Sequence, residues 1–339
     1  MEESSKKKFY KKPWFYIVIA AAVAAIGIPL WYFQIKVPHD NAVQAYKTTF
    51  ASYTDAVNSY KTEETAFQTA AKAVEAKNSE FESEINKASQ VLQDNTQVLV
   101  ESTIKDLTVA ISTAKNDEVT VPELANADTA QTENADISKL STKDITAAAE
   151  AIKTSTGNVN SSTETVKEET EKISTPPDYS ADTTKLQDCS TALQNSAKQL
   201  AQITNPTSDF IIQRIGNLPD ISGIAAVTEE HDPNNMLNKQ GGYTACVYFL
   251  SSAIDQSTVY GADVIEKGTQ GGGAIEVFAT SDEAKARETY LAGFDSAGAL
   301  NSGSHAVYGT CLIRTSNSLS ATQQKALEAE VYNKLIELQ

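Results

Sequence analysis

Hydrophobic and polar positions divide the chain into three stretches with different periods. From Pro13 to Ile35 no charged side chain occurs. The apolar heart of that run, Ile17 to Ile28, has Trp14, Phe15 and Tyr16 before it and Trp31, Tyr32 and Phe33 after it. From Val43 a seven-residue repeat takes over. One column reads Val43, Phe50, Val57, Glu64, Ala71, Asn78, Ile85, Leu92 and Leu99. The other, three residues on, reads Tyr46, Tyr53, Tyr60, Phe67, Val74, Phe81, Ala88, Asn95 and Ser102. Apolar positions spaced 3.5 residues apart on average predict a long helix with a narrow seam. No Gly or Pro interrupts Asn41 to Val121, so one helix of roughly 110 Å is expected from Asp40 to Lys115. Glu64, Asn78 and Asn95 interrupt the seam, where polar groups weaken packing and set register.

The repeat stops in residues 116–135, NDEVTVPELANADTAQTENA, and resumes beyond them. Ile145, Ile152, Val159, Val166 and Ile173 recur every seven residues, and after Pro176-Pro177 so do Leu186, Leu193 and Leu200. The matched lengths of the two arms predict an antiparallel helical hairpin with its tip loop at 116–135, the aromatic seam packing on a thinner Thr/Ala one. The alternative is an extended rod that dimerises through the aromatic seam.

Past Pro206 the pattern changes again. Phe210–Ile215 reads as a short helix ending at Gly216. Strand formers then cluster at Ile224–Val227, Tyr243–Leu250 and Ala274–Ala279, and His305–Thr315 reads as one long strand. Helices are expected from Ser281 to Leu291, with the serine as cap, and from Ser320 onward. Strands joined by turns and flanked by helices on one side predict an α+β domain on a small antiparallel sheet. The whole chain reads as α plus α+β. It has a basic tail (1–12), a transmembrane helix (13–35), a coiled-coil-like antiparallel helical stalk (36–209) and the α+β domain (210–339).

Composition sharpens these borders. The 339 residues carry a net charge of -16. Residues 1–36 hold six basic and two acidic side chains, residues 37–209 fourteen lysines against 27 acids, and residues 210–339 eight basic against fifteen acidic groups. Thirteen of the fifteen glycines and all three arginines follow residue 209. An acidic chain with so few arginines is a poor partner for nucleic acid, where affinity comes largely from neutralised phosphates. Lys6, Lys7, Lys8, Lys11 and Lys12 precede the apolar run, which predicts a cytoplasmic amino terminus with the bulk of the chain extracellular. A cleaved signal peptide starts the same way. Its best cleavage site, Val43-Gln44-Ala45, lies about a dozen residues past the run, so an uncleaved single-pass anchor is the expectation.

Several residues invite chemistry. Glu229–Asn235 gathers oxygen donors in a turn, with Glu230, Asp232, Asn234 and Asn235 as a calcium candidate, although Asp-Pro-Asn-Asn also makes an ordinary turn. Gly268–Gly273 opens into a strand rather than a helix, which fits a turn or bulge better than a phosphate loop. Cys246 and Cys311 both fall in strands, so they are a disulfide candidate in an oxidising compartment, with two buried thiols as the alternative. Cys189 reads as a packing residue on the stalk. A zinc site from His231, His305, Cys246 and Cys311 fits no familiar ligand spacing. Ser304-His305 adjacency supports no catalytic pair, because neighbours on a strand face opposite sides. Glu266 and Glu276 are carboxylates of the glycosidase type, yet no tryptophan follows position 31 to make a sugar platform. No catalytic residue, cofactor or metal is therefore expected.

Three strings carry a resemblance: TEEHDPNNMLNKQGGYTACVYF, EKGTQGGGAIEVFATSDEAKARETYL and GSHAVYGTCLIRTSNSLSATQQKALE. Residues 220–339 resemble a carboxy-terminal module of uncharacterised membrane-anchored surface proteins of Gram-positive bacteria, labelled extracellular-matrix-binding-like. The resemblance implies a cell-envelope location and brings no catalytic residues. The expectation for the whole is a single-pass envelope protein whose stalk carries an extracellular binding module for an unknown protein or envelope polymer. A homo-oligomer through the stalk fits the same pattern. The alternatives are an envelope enzyme with its site in 210–339, and a membrane-associated scaffold or secretion accessory factor.

Overall fold

The computed structural model describes residues 13–295 and 303–339, so the expected basic tail lies outside the described residues. The chain is mostly helical, with a small antiparallel sheet near its carboxy terminus. It divides into two compact units. One comprises the chain up to Glu80 together with Glu118–Tyr179, and the other comprises Phe81–Asp117 with Ser180–Gln339.

The first unit begins with helix α1 (Pro13–Trp31), none of whose residues is buried. A π-turn, Tyr32–Lys36, follows and runs directly into α2 (Val37–Asp94). The widening has a local cause. Pro38 has no N–H to give and its ring crowds the carbonyl one turn back, so the turn before it loosens and the Val37 N–H reaches Tyr32 five residues away.

The predicted seam of α2 is buried: Tyr46, Tyr53, Tyr60, Phe67 and Val74 lie in one cluster with Ile145, Ile152, Val159, Val166 and Ile173 of α4 (Thr142–Ile173). The antiparallel hairpin is not what buries it. His39 at the start of α2 bonds the Leu140 carbonyl just before α4, at 3.2 Å, while Asn78 meets Tyr179 just after it, at 2.7 Å. The two helices therefore run parallel. What runs antiparallel is residues 119–134, expected as a tip loop and found as an extended strap along α2. The Tyr46 hydroxyl accepts from the Asn134 amide (2.9 Å), Tyr53 from Gln131 (3.2 Å) and Tyr60 from Ala127 (3.3 Å). At the far end the Asn78 carboxamide donates to the Val119 carbonyl at 2.8 Å, and Tyr179 accepts from the Val119 amide at 2.9 Å.

The two periods match. From Tyr46 to Asn78 a helix rises about 48 Å, and from Asn134 to Val119 extended chain covers about 50 Å. Pro122 suits this conformation, because it holds φ near the extended value and needs no N–H partner. Val119, Val121, Leu124 and Ala127 add apolar contact. The aromatic seam that a dimerising rod would use is thus covered by the chain itself.

In the second unit the expected continuous helix to Lys115 is broken at residues 95–101. The end of α2, α3 (Ser102–Asp117) and α5 (Ser180–Gln202) supply the buried side chains Phe81, Ile85, Leu107, Ile111, Leu186 and Leu193. Ser196, at a buried position of α5, binds the break: its carbonyl accepts from Leu99 at 3.1 Å and its hydroxyl from Val100 at 2.7 Å. Leu99, expected in the seam, packs instead against the core of the α+β domain.

That domain has five strands, β1 (Ile221–Ala226), β2 (Ala245–Ser251), β3 (Gly272–Val277), β4 (His305–Tyr308) and β5 (Cys311–Thr315). They form an antiparallel sheet in the order β1-β2-β3-β5-β4. His305–Thr315 is a hairpin and not one strand, because Gly309 takes a φ of 60° at its turn. The glycine run is a 3-10 turn over Gly268–Gly271, as expected, and its last two glycines, Gly272 and Gly273, already belong to β3. A Cβ on Gly273 would stand 2.3 Å from the Phe249 ring, which lies across it.

Helices cover both faces, not one. α6 (Ser208–Ile215) and α9 (Ala321–Ile336) pack on Val247, Phe249, Ile275 and Ile313. α7 (Val264–Lys267) and α8 (Ser281–Ala292) pack on Cys246, Tyr248, Ala274 and Leu312. The cap of α8 is Thr280, in a reciprocal capping box with Glu283, one residue before the expected serine. The cap of α9 is Ser320, with Gln323.

Candidate functional site

Polar and ionisable groups gather on the α7/α8 face of the sheet. Glu276 on β3 is fully buried, and two guanidiniums answer it. Arg314 on β5 donates to Oε1 at 2.6 Å, and Arg287 on α8 donates to Oε2 at 2.9 Å. The pairing register explains the meeting: Cys246, Glu276 and Leu312 are directly opposite one another on three neighbouring strands, and Arg314 lies two residues along β5 on the same face. Two arginines against one carboxylate leave a net positive charge among apolar neighbours. Such a charge is tolerated only with good hydrogen-bond geometry.

The same register rules out the candidate disulfide between Cys246 and Cys311 and leaves the alternative of two buried thiols. Cys246 faces the α7/α8 side, whereas Cys311 pairs with Val277 and faces the α6/α9 side. An odd offset in a strand turns a side chain to the opposite face, and β3 stands between the two strands. Both thiols are free and buried, as is Cys189. Burial pushes the Cys311 thiol up to about 12. It pushes Cys246 up as well, helped by the Glu276 carboxylate beside it. The four-residue zinc arrangement fails for the same reason.

The calcium candidate resolves into a turn organised by one carboxylate. Asp232 Oδ1 accepts from the Tyr243 hydroxyl and from the Asn234 amide, the latter at 3.0 Å. Oδ2 accepts from the amides of Met236 at 2.6 Å and Leu237 at 2.8 Å. Burial alone would push this carboxyl up, but those four bonds together hold it below the usual aspartate range. Burial and the Asp232 bond drive the Tyr243 phenol far up in turn. Asn234 points its amide at the Tyr248 hydroxyl, 2.9 Å away, and Asn235 sits at a φ of 52°. The oxygens of Asp232 are thus spent on the protein, and Glu230 is exposed.

The other singled-out residues separate. His305 reaches Asp295 at 3.1 Å, while the Ser304 hydroxyl bonds Glu328 on α9. Glu276 lies inside the sheet layer, whereas Glu266 is exposed on α7.

One grouping was not foreseen. His231, Asp263 and Glu266 bring one donor atom each to within 4.8 Å of one another. His231 Nε2 lies 3.8 Å from Asp263 Oδ2. In the sequence His231 groups with its turn neighbours, or with His305, Cys246 and Cys311, and Glu266 with Glu276. It is the packing of α7 against β1 and β2 that sets the 261–267 segment beside the turn.

No family model matches this chain, and neither does any curated protein or solved structure. The physical features therefore carry the functional reading. The plainest of them is α1, a helix long and apolar enough to cross a membrane, with no part of its apolar window buried in the chain.

Proposed function

We propose that this protein is a single-pass membrane protein, amino terminus inside, whose helical segments carry the α+β domain as a non-catalytic binding module on the outer side. The carrying observation is the exposure of α1. Trp14, Ile17, Val23, Ile26, Ile28 and Trp31 are all exposed, a surface that water penalises by roughly 25 cal/mol per Å² and that lipid accepts. Nineteen helical residues rise about 29 Å, close to a hydrocarbon core of ~30 Å, and Trp14, Tyr16, Trp31 and Tyr32 sit where the two interfaces would fall. The lysines before Pro13 support the inside-out orientation. The module reading rests on the two-sided core of the α+β domain and on its resemblance to envelope modules of Gram-positive bacteria.

The test uses the full chain in a bacterial host, with one epitope before Lys6 and another after Gln339. Alkaline carbonate should leave it in the membrane pellet, and deletion of residues 13–35 should release it. Protease added to intact cells should destroy the carboxy-terminal epitope and spare the amino-terminal one until lysis. Release by carbonate, protection of the carboxy-terminal epitope, or an amino-terminal sequence starting at Tyr46 would each overturn the reading.

A further inference from the structure

We propose that His231, Asp263 and Glu266 form a binding site for a divalent cation of the zinc class. The argument stands apart from the membrane reading, since it concerns only the α+β domain. Three ligand atoms of two chemical kinds converge from two separate loops. Their mutual distances, at most 4.8 Å, need only modest side-chain rotation to reach the separation of about 3.4 Å between ligands of a tetrahedral zinc with bonds of 2.0–2.1 Å.

Each loop is pinned by its backbone. The His231 amide donates to the Thr228 carbonyl at 3.1 Å and to its hydroxyl at 3.2 Å. Asp263 Oδ1 caps α7 by accepting from Ile265 and Glu266, both at 2.9 Å, and Glu266 Oε2 accepts from the Ala262 amide at 2.7 Å. One oxygen of each carboxylate is therefore held by the main chain. The other, Asp263 Oδ2 or Glu266 Oε1, has no such tie. A carboxylate fixed through one oxygen and ligating through the other is how metal ligands are oriented by their surroundings.

The charges agree. Two carboxylates and a neutral imidazole balance a doubly charged ion. The nearest lysine in sequence, Lys267, is turned away and donates to the Gln256 carbonyl at 2.9 Å. The nitrogen ligand selects the class of ion: zinc and its neighbours take imidazole readily, whereas calcium and magnesium prefer oxygen throughout. Side chains of His231 and Asp263 are 42% and 51% exposed, which leaves the site open to solvent for a water or an external ligand in the fourth position. The ion would clamp the 228–242 turn to the 261–267 segment.

The test is calorimetric titration of ZnCl2 into the untagged full chain in detergent at pH 7, with CoCl2 absorption as a second readout. One ion per chain should bind with micromolar or tighter affinity, and MgCl2 and CaCl2 should bind at least tenfold more weakly. His231→Ala and Glu266→Gln should each weaken zinc at least tenfold while leaving the metal-free melting temperature unchanged. His305→Ala should bind as the parent does. Absence of saturable zinc binding, equal affinity in His231→Ala, or loss of binding in His305→Ala would each overturn the proposal. Should His231→Ala unfold, protection of His231 from diethyl pyrocarbonate by zinc in the parent chain decides the matter, and no protection refutes it.

Discussion

The Tyr46 hydroxyl accepts the amide N–H of Asn134 at 2.9 Å, across 88 residues of sequence. The same relation recurs one heptad on with Tyr53 and again with Tyr60. An aromatic seam that reads as helix packing surface is therefore also a ladder of acceptors. A helix could satisfy its own backbone; the extended strap cannot, and tyrosine rather than phenylalanine is what this seam needs.

Replacing Tyr46, Tyr53 and Tyr60 together by Phe keeps the apolar area and removes three acceptors. Each loss should cost about 1 kcal/mol, since the partner amides are only partly shielded from water. Hydrogen exchange should accelerate at the amides of Ala127, Gln131 and Asn134 while the middle of α4 stays protected. Unchanged exchange at those three amides would show that apolar contact alone holds the strap.

The Glu276 cluster makes a sharper prediction. Glu276→Gln leaves the buried Arg314 and the half-buried Arg287 without a counter-charge, which should cost about 3–5 kcal/mol. Arg287→Met, which leaves the Glu276–Arg314 pair in place, should cost markedly less. Urea unfolding of the α+β domain within the full chain measures both. Equal losses for the two variants would mean that the cluster is not organised around Glu276.

All three cysteines should be silent towards a thiol reagent in the folded chain and should titrate as three free thiols after denaturation without reductant. The raised values of Cys246 and Cys311 act in the same direction as burial, because the thiolate is the reactive form. Recovery of a single thiol would restore the disulfide that the strand register excludes.

Asp232 gives the turn at 228–243 a pH dependence of definite sign. Its carboxyl is held below the usual value in the folded turn, so its contribution is complete above the ordinary aspartate pKa of about 3.9 and is lost as pH falls through the lower folded value. Exchange of the Met236 and Leu237 amides should rise as pH drops through that window, after correction for intrinsic rates. Asp232→Asn should show faster exchange already at pH 7. A turn whose protection is flat from pH 6 to pH 2 would exclude this role.

Much of the architecture is legible in the sequence. Period alone located the buried faces of α2 and α4, and the shift in glycine use marked where the sheet domain begins. Apolar length marked α1, because burial from water acts on composition over a window and needs no partner. Local chemistry also placed helix starts within a residue or so, as at Ser320 and Thr280.

Direction, pairing and facing were different. That α4 runs parallel to α2, that residues 119–134 lie along α2 as a strap, and that the long helix breaks at residues 95–101, where Ser196 of α5 binds it, are decided by partners far away in sequence. The strap illustrates why: its own residues carry no strong period, and its conformation is set by acceptors spaced along α2. The separation of Cys246 from Cys311 and the gathering of His231, Asp263 and Glu266 depend on register and on how loops pack, where a shift of one residue reverses a side chain. By itself the sequence determined which segments must leave water and with what repeat. The tertiary structure decided which buried face meets which, because hydrophobic burial has no direction whereas hydrogen bonds and strand register do.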